Sequence, residues 1–353
     1  MKTLIMAGGT GGHVFPALAV AQALLSQGHE VVWMGAPDSF EARTVPQQGI
    51  TMEFVRVSGL RGKGVLKLLT APLLLLRALL DALASLRKQQ PDVVLGMGGF
   101  AAGPGGVAAW LLRKPLVIHE QNAVAGLTNR WLARIARQTL EAFPGTFRQA
   151  LTVGNPVRAA VALLPAPEER LRGREGPMRV LVIGGSQGAR TLNERMPEAL
   201  RLLPESKRPQ VRHQAGRTLE VAQQAYARAA VRAEVMAFID NMADAYAWAD
   251  LVVCRAGAST IAELAAAGCA ALLVPFPAAV DDHQTRNGDY LVRAGAARLI
   301  QEQELSAARL AETLADLLSD RSRLLAMAQA ARKAGWPDAT QSIVRCLLRE
   351  TRS

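Results

Sequence analysis

The side chains best suited to chemistry in this sequence stand beside glycine-rich segments. His13 closes the segment AGGTGGH, residues 7–13, and the segment HEQN places His119 to Asn122 in one polar run. Imidazole and carboxylate groups are the usual acids and bases of enzymes. His13 follows a glycine turn directly, and loop positions of this kind commonly carry function. The sequence therefore favours a functional His13, and it leaves His119 open between a functional role and a structural role at a strand end.

The elements around AGGTGGH predict an anion-binding turn. TLIMA precedes it as a short apolar strand, VFPALAVAQALLSQ follows as a helix with Pro16 in its first turn and Gly28 at its end, and EVVWMG is the next strand. This order is a βαβ unit of a parallel sheet. Glycines let the backbone approach a ligand, and the helix N-terminus favours a phosphate. The alternative is a turn needed only for folding. The segment matches neither GxGxxG nor GxxxxGK[ST], so it gives little support to NAD or ATP.

A second copy of this arrangement predicts a second domain. Residues 179–190, RVLVIGGSQGAR, again join an apolar strand to a glycine turn, and the preceding residues 163–178 have the Pro, Gly and charge content typical of a linker. We therefore expect two α/β domains with doubly wound parallel sheets, whose ligand-binding edges face each other across a cleft. The expected strands are residues 3–7, 31–35, 52–57, 93–96, 116–119 and 151–153 in the first domain, and 179–183, 210–214, 234–238, 251–254, 271–274 and 297–300 in the second.

Charge and composition narrow the classes of partner. The 353 residues carry a formal net charge of +11, and residues 1–158 hold 16 Lys and Arg against 8 Asp and Glu. This basic half indicates anionic lipid or a phosphorylated substrate. Nucleic acid is not expected, because aromatic residues make up only 5% and form no basic–aromatic platform. Three cysteines without a CxxC pair indicate a reducing compartment. We also expect no signal peptide, no membrane-spanning helix and no metal site.

Two further segments have the composition of strand-to-helix turns. GMGGFAAGPGG, residues 96–106, follows the strand VVLG, and CRAGASTIAELAAAG, residues 254–268, follows a strand of the second domain. Thr260 and Glu263 fit the capping box S/T-x-x-E, which would make Glu263 a helix cap. An acidic residue in this position can instead accept hydrogen bonds from a sugar diol, as it does in nucleotide-binding folds. Both roles remain open for Glu263.

Seven motifs occur together along nearly the whole chain, and they identify a family. They are GGTGGHVFPALAVA, SGLRGKG, GMGGFAAGPGG, HEQNAVAGLTN, GNPVR, GGSQGA and RAGASTIAE. Over residues 2–345 the chain resembles the MurG family of bacterial glycosyltransferases, glycosyltransferase family 28. The resemblance implies a GT-B fold. It has an acceptor and membrane-associated domain over residues 1–158, a UDP-GlcNAc-binding domain over 159–335, and a C-terminal helix, 336–353, that returns to the first domain.

The same resemblance implies an activity. The family transfers GlcNAc from UDP-GlcNAc, with inversion, to the C4 hydroxyl of the MurNAc sugar of lipid I, the undecaprenyl-diphosphate-linked muramyl pentapeptide. The product is lipid II, a precursor of peptidoglycan. No cofactor and no metal are implied. The implied location is the cytoplasmic face of the bacterial inner membrane, as a peripheral protein, and other cell-wall synthesis proteins are candidate partners.

Residue roles are carried over from the same resemblance. His13 and Glu120 are candidates for the base that accepts the proton of the attacking hydroxyl, and the sequence does not choose between them. The chain departs from the family at two places: His283 and Gln284 stand where members typically have two glutamines in a shorter loop, and Phe100 stands where many have tyrosine. The implied UDP-GlcNAc contacts are Thr10, Gly11, Gly12, Asn122, Arg158, Ser186, Ile239, Ala258, Ser259, Thr260, Ile261, Ala262, Glu263, Gln284 and Asn287. The implied contacts of the acceptor diphosphate are Gly9, Gly98, Gly99, Gly103 and Gly105.

Residues 65–88, VLKLLTAPLLLLRALLDALASLRK, predict contact with an anionic membrane surface. Leucines at 73–76, 79, 80 and 83 cover more than the one face that a helix packed on a sheet needs. Six basic residues surround the run against the single acid Asp81: Arg61, Lys63, Lys67, Arg77, Arg87 and Lys88. This pattern is typical of a helix that inserts shallowly into the surface of an anionic bilayer without crossing it. The alternative is an ordinary core helix.

Two other functions remain open at this point. A UDP-GlcNAc 2-epimerase shares the expected architecture and needs neither a lipid acceptor nor a membrane. A non-enzymatic lipid-binding scaffold would explain the basic half and the leucine-rich helix. It would not explain two sets of glycine turns with polar residues beside them.

Overall fold

A computed structural model describes residues 1–57, 65–185 and 187–351, with backbone alone for residues 65–70 and 280. The chain divides into two compact units. Unit 1 contains Met1–Val157 together with the chain from Asp338 onward, and unit 2 contains Arg158–Pro337. Each unit is built around one sheet whose strands all pair in parallel.

Unit 1 opens with seven strands and five helices that connect or follow them. The strands are β1 (Lys2–Met6), β2 (Glu30–Gly35), β3 (Thr51–Phe54), β4 (Val93–Gly96), β5 (Leu116–Glu120), β6 (Gln138–Glu141) and β7 (Leu151–Thr152). The helices are α1 (Gly11–Ser26), α2 (Phe40–Thr44), α3 (Val65–Gln89), α4 (Ala102–Leu111) and α5 (Leu127–Leu132). The order across the sheet is β3-β2-β1-β4-β5-β6-β7.

Helices cover both faces of this sheet, so its central strands are apolar on both sides. Side chains of β1 alternate between two core clusters. Ile5 packs with Leu18 of α1 on one face, while Leu4 and Met6 pack with Ala82 of α3 on the other. The strand composition therefore follows directly from the two helical layers.

The strand order places three loops of unit 1 at one edge. β1 pairs with both β2 and β4, so the order reverses between β1 and β4. Ligands of doubly wound sheets bind at the carboxyl ends of the strands beside such a reversal. The segments after β1, β4 and β5 begin at Ala7, Met97 and Gln121, and all three leave from this edge.

Unit 2 repeats the plan with six strands. They are β8 (Arg179–Ile183), β9 (Gln210–Gln214), β10 (Glu234–Met236), β11 (Leu251–Cys254), β12 (Ala271–Leu273) and β13 (Ala297–Leu299), in the order β10-β9-β8-β11-β12-β13. Its helices are α6 (Ala159–Ala162), α7 (Pro167–Arg170), α8 (Arg190–Leu202), α9 (Leu219–Ala229), α10 (Met242–Trp248), α11 (Ala258–Ala267), α12 (His283–Arg293), α13 (Ala307–Leu317) and α14 (Arg321–Ala334). Here the order reverses between β8 and β11.

The C-terminal helix, α15 (Ala339–Glu350), belongs to unit 1. Ile343, Val344 and Leu347 are fully or almost fully buried in the core cluster that also contains Leu24 of α1. An ion pair between Arg137 and Glu350 adds a polar contact within the same unit. Helix α15 thus packs beside α1 on the same face of the sheet.

All twelve predicted strands are present, with ends within three residues of the prediction. β6, whose sequence is QTLE, was not predicted, because Gln138, Thr139 and Glu141 make its short run largely polar. Three of its four residues are nevertheless buried, since it lies between β5 and β7. Tertiary packing, not local composition, makes this segment a strand.

The prediction of a linker over residues 163–178 is wrong, because this segment is hydrogen-bonded to the rest of unit 2. The Arg170 guanidinium donates to the carbonyl oxygens of Ala267 and Gly268 at 2.6 Å each. Arg174 donates to the Asp250 carboxylate at 2.8 Å. The arginines that suggested a solvated linker therefore satisfy carbonyl and carboxylate groups at the end of α11 and the start of β11.

Candidate functional site

Two glycine turns of unit 1 touch each other at the carboxyl edge of the sheet. Gly98 and Gly99, after β4, have φ values of 96° and 89°, which disfavour any side chain. A Cβ at Gly99 would lie 2.7 Å from the backbone of Gly8, after β1. A Cβ at Gly98 would lie 2.3 Å from His13 Nδ1. The two turns thus form one surface, with the His13 imidazole against it.

The first glycine turn leads straight into α1. The helix begins at Gly11, so Pro16 lies in its second turn and not in the first, as the sequence had indicated. Thr10 is the extended N-cap residue, and its carbonyl oxygen accepts from the amides of His13 and Val14 at 3.1 Å each. Thr10 and Gly12 are exposed. The first-turn amides of α1 therefore lie beside the predicted sugar contacts.

A buried carboxylate that sequence reasoning missed supports the first glycine turn. Glu41 of α2 is 2% exposed, and it accepts hydrogen bonds from the amides of Gly9 at 3.0 Å and Ala36 at 3.2 Å. A Cβ at Gly8 would lie 2.3 Å from Glu41 Oε1, so glycine is needed there. The Gly9 amide, predicted to meet the acceptor diphosphate, is therefore already engaged in this structure.

His13 is suited to accept a proton. Its ring is half-buried, and Nδ1 is buried without a hydrogen-bond partner among the residues that the structure describes. Burial lowers the pKa of His13, while the carboxylates of Glu120 and Glu41 act in the opposite direction. The imidazole is therefore neutral near pH 7, and the negative charges of Glu120 and Glu41 would stabilise its protonated form.

Glu120, the other candidate base, organises its own loop. It is 3% exposed. Its Oε1 accepts from the amide and side chain of Asn122 at 3.0 and 3.2 Å, and its Oε2 accepts from the Gly126 amide at 3.1 Å and Asn129 Nδ2 at 2.8 Å. A carboxylate shared among four donors has little capacity left for a substrate proton. The geometry thus favours His13 as the base, with Glu120 holding the loop that carries Asn122.

His119, which the sequence left open, has a structural position. It is fully buried, and its Nε2 lies 2.8 Å from the Gly154 carbonyl oxygen. Burial lowers its pKa to about 4. The ring ties the end of β5 to the segment after β7.

The glycines predicted to hold the acceptor diphosphate differ in position. Gly98 is buried and Gly99 is partly exposed in the turn after β4, and Gly103 lies in the first turn of α4. Gly105 is buried, and a Cβ there would lie 2.2 Å from Met6 Sδ. Its role is to let α4 approach β1, which corrects its assignment as a phosphate contact.

The capping-box interpretation of Glu263 is wrong. α11 begins at Ala258 with Gly257 as its N-cap residue, so Thr260 and Glu263 both lie inside the helix. Glu263 is 7% exposed, and its carboxylate contacts Arg158 and Tyr246. The helix starts two residues before Thr260, after a three-residue turn from the end of β11 at Cys254.

The N-terminus of α11 presents the remaining predicted diphosphate contacts. Residues 258–260 carry the first amides of a ten-residue helix that follows β11, where unpaired N–H groups and the helix dipole favour an anion. Ser259 Oγ is buried and has no partner within the described chain. Ile261 is fully buried and Ala262 lies next to it, so their part is to shape this turn.

The other described residues of the predicted donor site are buried or partly buried. Ile239 is 9% exposed in the segment after β10. Gln284 Oε1 accepts from the amides of Ala256 at 3.2 Å and Phe276 at 3.0 Å. Asn287 is fully buried and donates to the Ala256 carbonyl oxygen at 3.3 Å. Gln284 therefore joins the loops after β11 and β12, and Asn287 fastens α12 to the loop after β11. Ser186 lies outside the described residues.

Metal ligands do not gather in the described part of the chain: no group of three His, Cys, Asp or Glu side chains there could hold an ion. The cysteines Cys254, Cys269 and Cys346 are all buried thiols.

Comparison with known proteins gives full-length matches. Residues 3–141 match the glycosyltransferase family 28 N-terminal domain, and residues 179–343 match the family's C-terminal domain. The chain is 59% identical to a protein of Marinobacter nauticus, over 97% of this chain and 96% of that one. That protein is named UDP-N-acetylglucosamine–N-acetylmuramyl-(pentapeptide) pyrophosphoryl-undecaprenol N-acetylglucosamine transferase.

Solved structures agree with this match. The crystal structure of MurG from Acinetobacter baumannii superposes with a TM-score of 0.88 at 42% identity, covering 99% of both chains. UDP-GlcNAc 2-epimerase from Neisseria meningitidis superposes with a TM-score of 0.68 at 12% identity, covering 99% of this chain and 100% of that one, which shows a common fold and no more. The predicted GT-B fold is confirmed by these likenesses and by the two parallel sheets.

Proposed function

Because this chain belongs to glycosyltransferase family 28, we propose that it transfers N-acetylglucosamine from UDP-GlcNAc to the muramyl sugar of lipid I. The observation that carries the proposal is the 59% identity, over 97% of the chain, to an enzyme whose name states this donor and acceptor. The chain is accordingly a hexosyltransferase. The C4 hydroxyl of MurNAc attacks the anomeric carbon of GlcNAc, the bond from that carbon to the UDP oxygen breaks, and the configuration inverts.

Unit 2 binds the donor and stabilises the leaving group. The UDP diphosphate binds at backbone N–H groups, at the start of α11 and in the glycine turn after β8. The N–H end of each peptide dipole is positive and attracts the phosphates. Gly185 and Gly188 of that turn have φ values of 74° and 81°, a backbone conformation that favours glycine at these two positions. Negative charge grows on the diphosphate as UDP departs, and fixed dipoles stabilise it without rearrangement.

Unit 1 binds the acceptor and takes its proton. The paired glycine turns at Gly8 and Gly99 offer a backbone surface to the acceptor diphosphate. His13, neutral because burial lowers its pKa, accepts the C4 hydroxyl proton as the new bond forms. Glu41 and Glu120 stabilise the resulting imidazolium.

Helix α3 gives unit 1 a surface for the membrane that holds lipid I. Ala78 and Ala82 are buried against the sheet, whereas Leu73 to Leu76 and Leu80, here called the leucine face, are 39–70% exposed. Trp110 of the neighbouring α4 is 53% exposed. None of the described helices is long and apolar enough to cross a bilayer.

The charge beside the leucine face is basic. Asp81 is the single acid of α3, and Arg56 Nε donates to its carboxylate at 2.8 Å. Arg77 and Arg87 lie on the same helix, and each basic residue near an anionic surface adds about 1 kcal/mol of attraction. Arg61 and Lys63 lie outside the described residues, as does the side chain of Lys67. The proposed location is therefore the cytoplasmic face of the inner membrane.

A UDP-release assay with and without lipid I tests the proposed function. We expect UDP to appear only when lipid I is added. A 2-epimerase would convert UDP-GlcNAc without lipid I, and a lipid-binding scaffold would release no UDP under either condition. Either of these results would overturn the proposal.

A further inference from the structure

Glu263 is held on both of its oxygens. It lies in the middle of α11 and is 7% exposed, so its carboxylate is almost removed from water. Oε2 accepts from the Tyr246 hydroxyl at 3.0 Å, and Oε1 accepts from Arg158 Nε at 2.8 Å. Both partners belong to unit 2. The two contacts differ sharply in their surroundings.

The contact with Tyr246 is internal and permanent. Tyr246 of α10 is 1% exposed, which makes it one of the largest fully buried side chains. Burial raises its pKa well above the ordinary value, and the Glu263 charge acts in the same direction. The phenol thus stays protonated near neutral pH and donates to Oε2.

The contact with Arg158 is on the surface. The Arg158 side chain is 54% exposed, and its second contact, from the terminal nitrogen to Oε2, is 3.4 Å long. Because the Glu263 carboxylate is almost buried, Arg158 can leave it at small cost only when another hydrogen-bond donor takes its place. The exchangeable edge of the carboxylate is therefore the one at Oε1.

We propose that Tyr246 is a positioning residue for Glu263. By holding Oε2 from inside, it leaves Oε1 as the atom at which the two ribose hydroxyls of the donor replace Arg158. The released guanidinium then turns to the donor diphosphate. This inference rests on the proposed function, because it assumes that unit 2 binds a uridine nucleotide. It adds a residue, Tyr246, and an exchange that no motif of the sequence indicates.

Tyr246→Phe tests the positioning role, with Tyr226→Phe as its matched control. Tyr226 is also buried in unit 2, and its hydroxyl lies 3.0 Å from His213 Nδ1, so each variant loses one internal hydrogen bond. In calorimetric titration we expect Tyr246→Phe to weaken UDP binding about tenfold, the value of one hydrogen bond to a charged group. Tyr226→Phe should leave UDP binding unchanged. Equal effects of the two variants would overturn the proposal.

A ligand without the ribose diol separates positioning from general damage. Tyr246→Phe and the wild-type protein should bind 2′,3′-dideoxyuridine diphosphate equally. In a Glu263→Ala background the Tyr246→Phe change should have no further effect on UDP binding. If the variant weakens the dideoxy ligand as much as UDP, Tyr246 acts on the fold alone and the inference fails. If the wild-type protein does not bind UDP at all, the proposed function fails first.

Arg158→Met tests the exchange. UDP binding should weaken about tenfold, because the diphosphate loses a charged partner. Uridine, which has no phosphate, should bind more tightly than it does to the wild-type protein, because nothing competes for Glu263. A loss of affinity for both ligands would show that Arg158 does not occupy the ribose position.

Discussion

Replacing Gly98 with alanine should displace His13 and slow the reaction, with only a modest loss of stability. The new Cβ would lie 2.3 Å from Nδ1 and 2.6 Å from Cε1 of the imidazole. Ordinary contacts between such atoms are about 3.5–4 Å, so the ring must move by roughly 1 Å or turn away. A displacement of this size costs about 10²-fold in rate. The φ of 96° adds about 1–2 kcal/mol of backbone strain.

Gly28→Ala is the matched control for that strain. Gly28 has a φ of 77°, and apart from Gly28 itself and its two chain neighbours no described residue has an atom within 4 Å of the position of its Cβ. Both variants should lose a similar amount of stability in urea unfolding. Only Gly98→Ala should lose turnover, measured as lipid I-dependent UDP release, while its UDP affinity stays at the wild-type value. Wild-type turnover in Gly98→Ala would refute the placement of His13 at the reacting hydroxyl.

Four other consequences can be measured separately. His13→Ala should lower kcat by about 10²–10⁴-fold and keep UDP affinity, because it removes the base. Glu120→Ala should also lower the melting temperature, because four hydrogen-bond donors lose their acceptor. Equal melting temperatures of the two variants would contradict the assignment of His13 as the base and Glu120 as the residue that holds the loop. Leu75→Ser should weaken co-sedimentation with anionic vesicles roughly tenfold, and high salt should weaken it further. The control Leu163→Ser replaces a leucine of unit 2 that is 82% exposed, and it should leave vesicle binding unchanged. If the wild-type protein binds neutral and anionic vesicles equally, the basic residues do not contribute to membrane binding. Burial sets the pKa of His119 to about 4 against an ordinary 6.5, so the unfolded chain binds more protons between these values. The contribution of His119 to the free energy of unfolding should therefore fall by about 2 kcal/mol from pH 7 to pH 5. If His119→Gln shows the same pH dependence of stability as the wild-type protein, His119 is not the source of this loss.

The regular elements were predictable because they follow from local pattern. Short apolar runs bounded by glycine mark strands buried between helices, and the glycine turns mark the carboxyl ends of strands, where doubly wound sheets generally bind ligands. β6 was not predictable, because only its neighbours in the sheet make QTLE a buried strand. The segment 163–178 was misread for a related reason: its arginines have partners that lie about 75–100 residues further along the chain.

The site was predictable where glycines and histidines mark it, and unpredictable where burial decides. Glu41 sits in the ordinary helical sequence FEART, and nothing local shows that it lies beneath Gly8. Glu263 matched a capping motif, but the helix begins two residues before Thr260. Gly105 belongs to a glycine-rich run, yet it serves helix packing against Met6. Each difference depends on contacts between elements distant in sequence, which a motif does not contain.

The fate of labelled GlcNAc tests the central claim most directly. The protein is incubated with UDP-GlcNAc labelled in the sugar, with lipid I in detergent or in anionic vesicles, and the butanol-extractable lipid is analysed. We predict that the label enters the lipid as a β-linked sugar on the C4 oxygen of MurNAc, with one UDP released for each sugar transferred and no reaction without lipid I. Label that remains water-soluble as a 2-epimer of the donor, or as free sugar formed without lipid I, would contradict it.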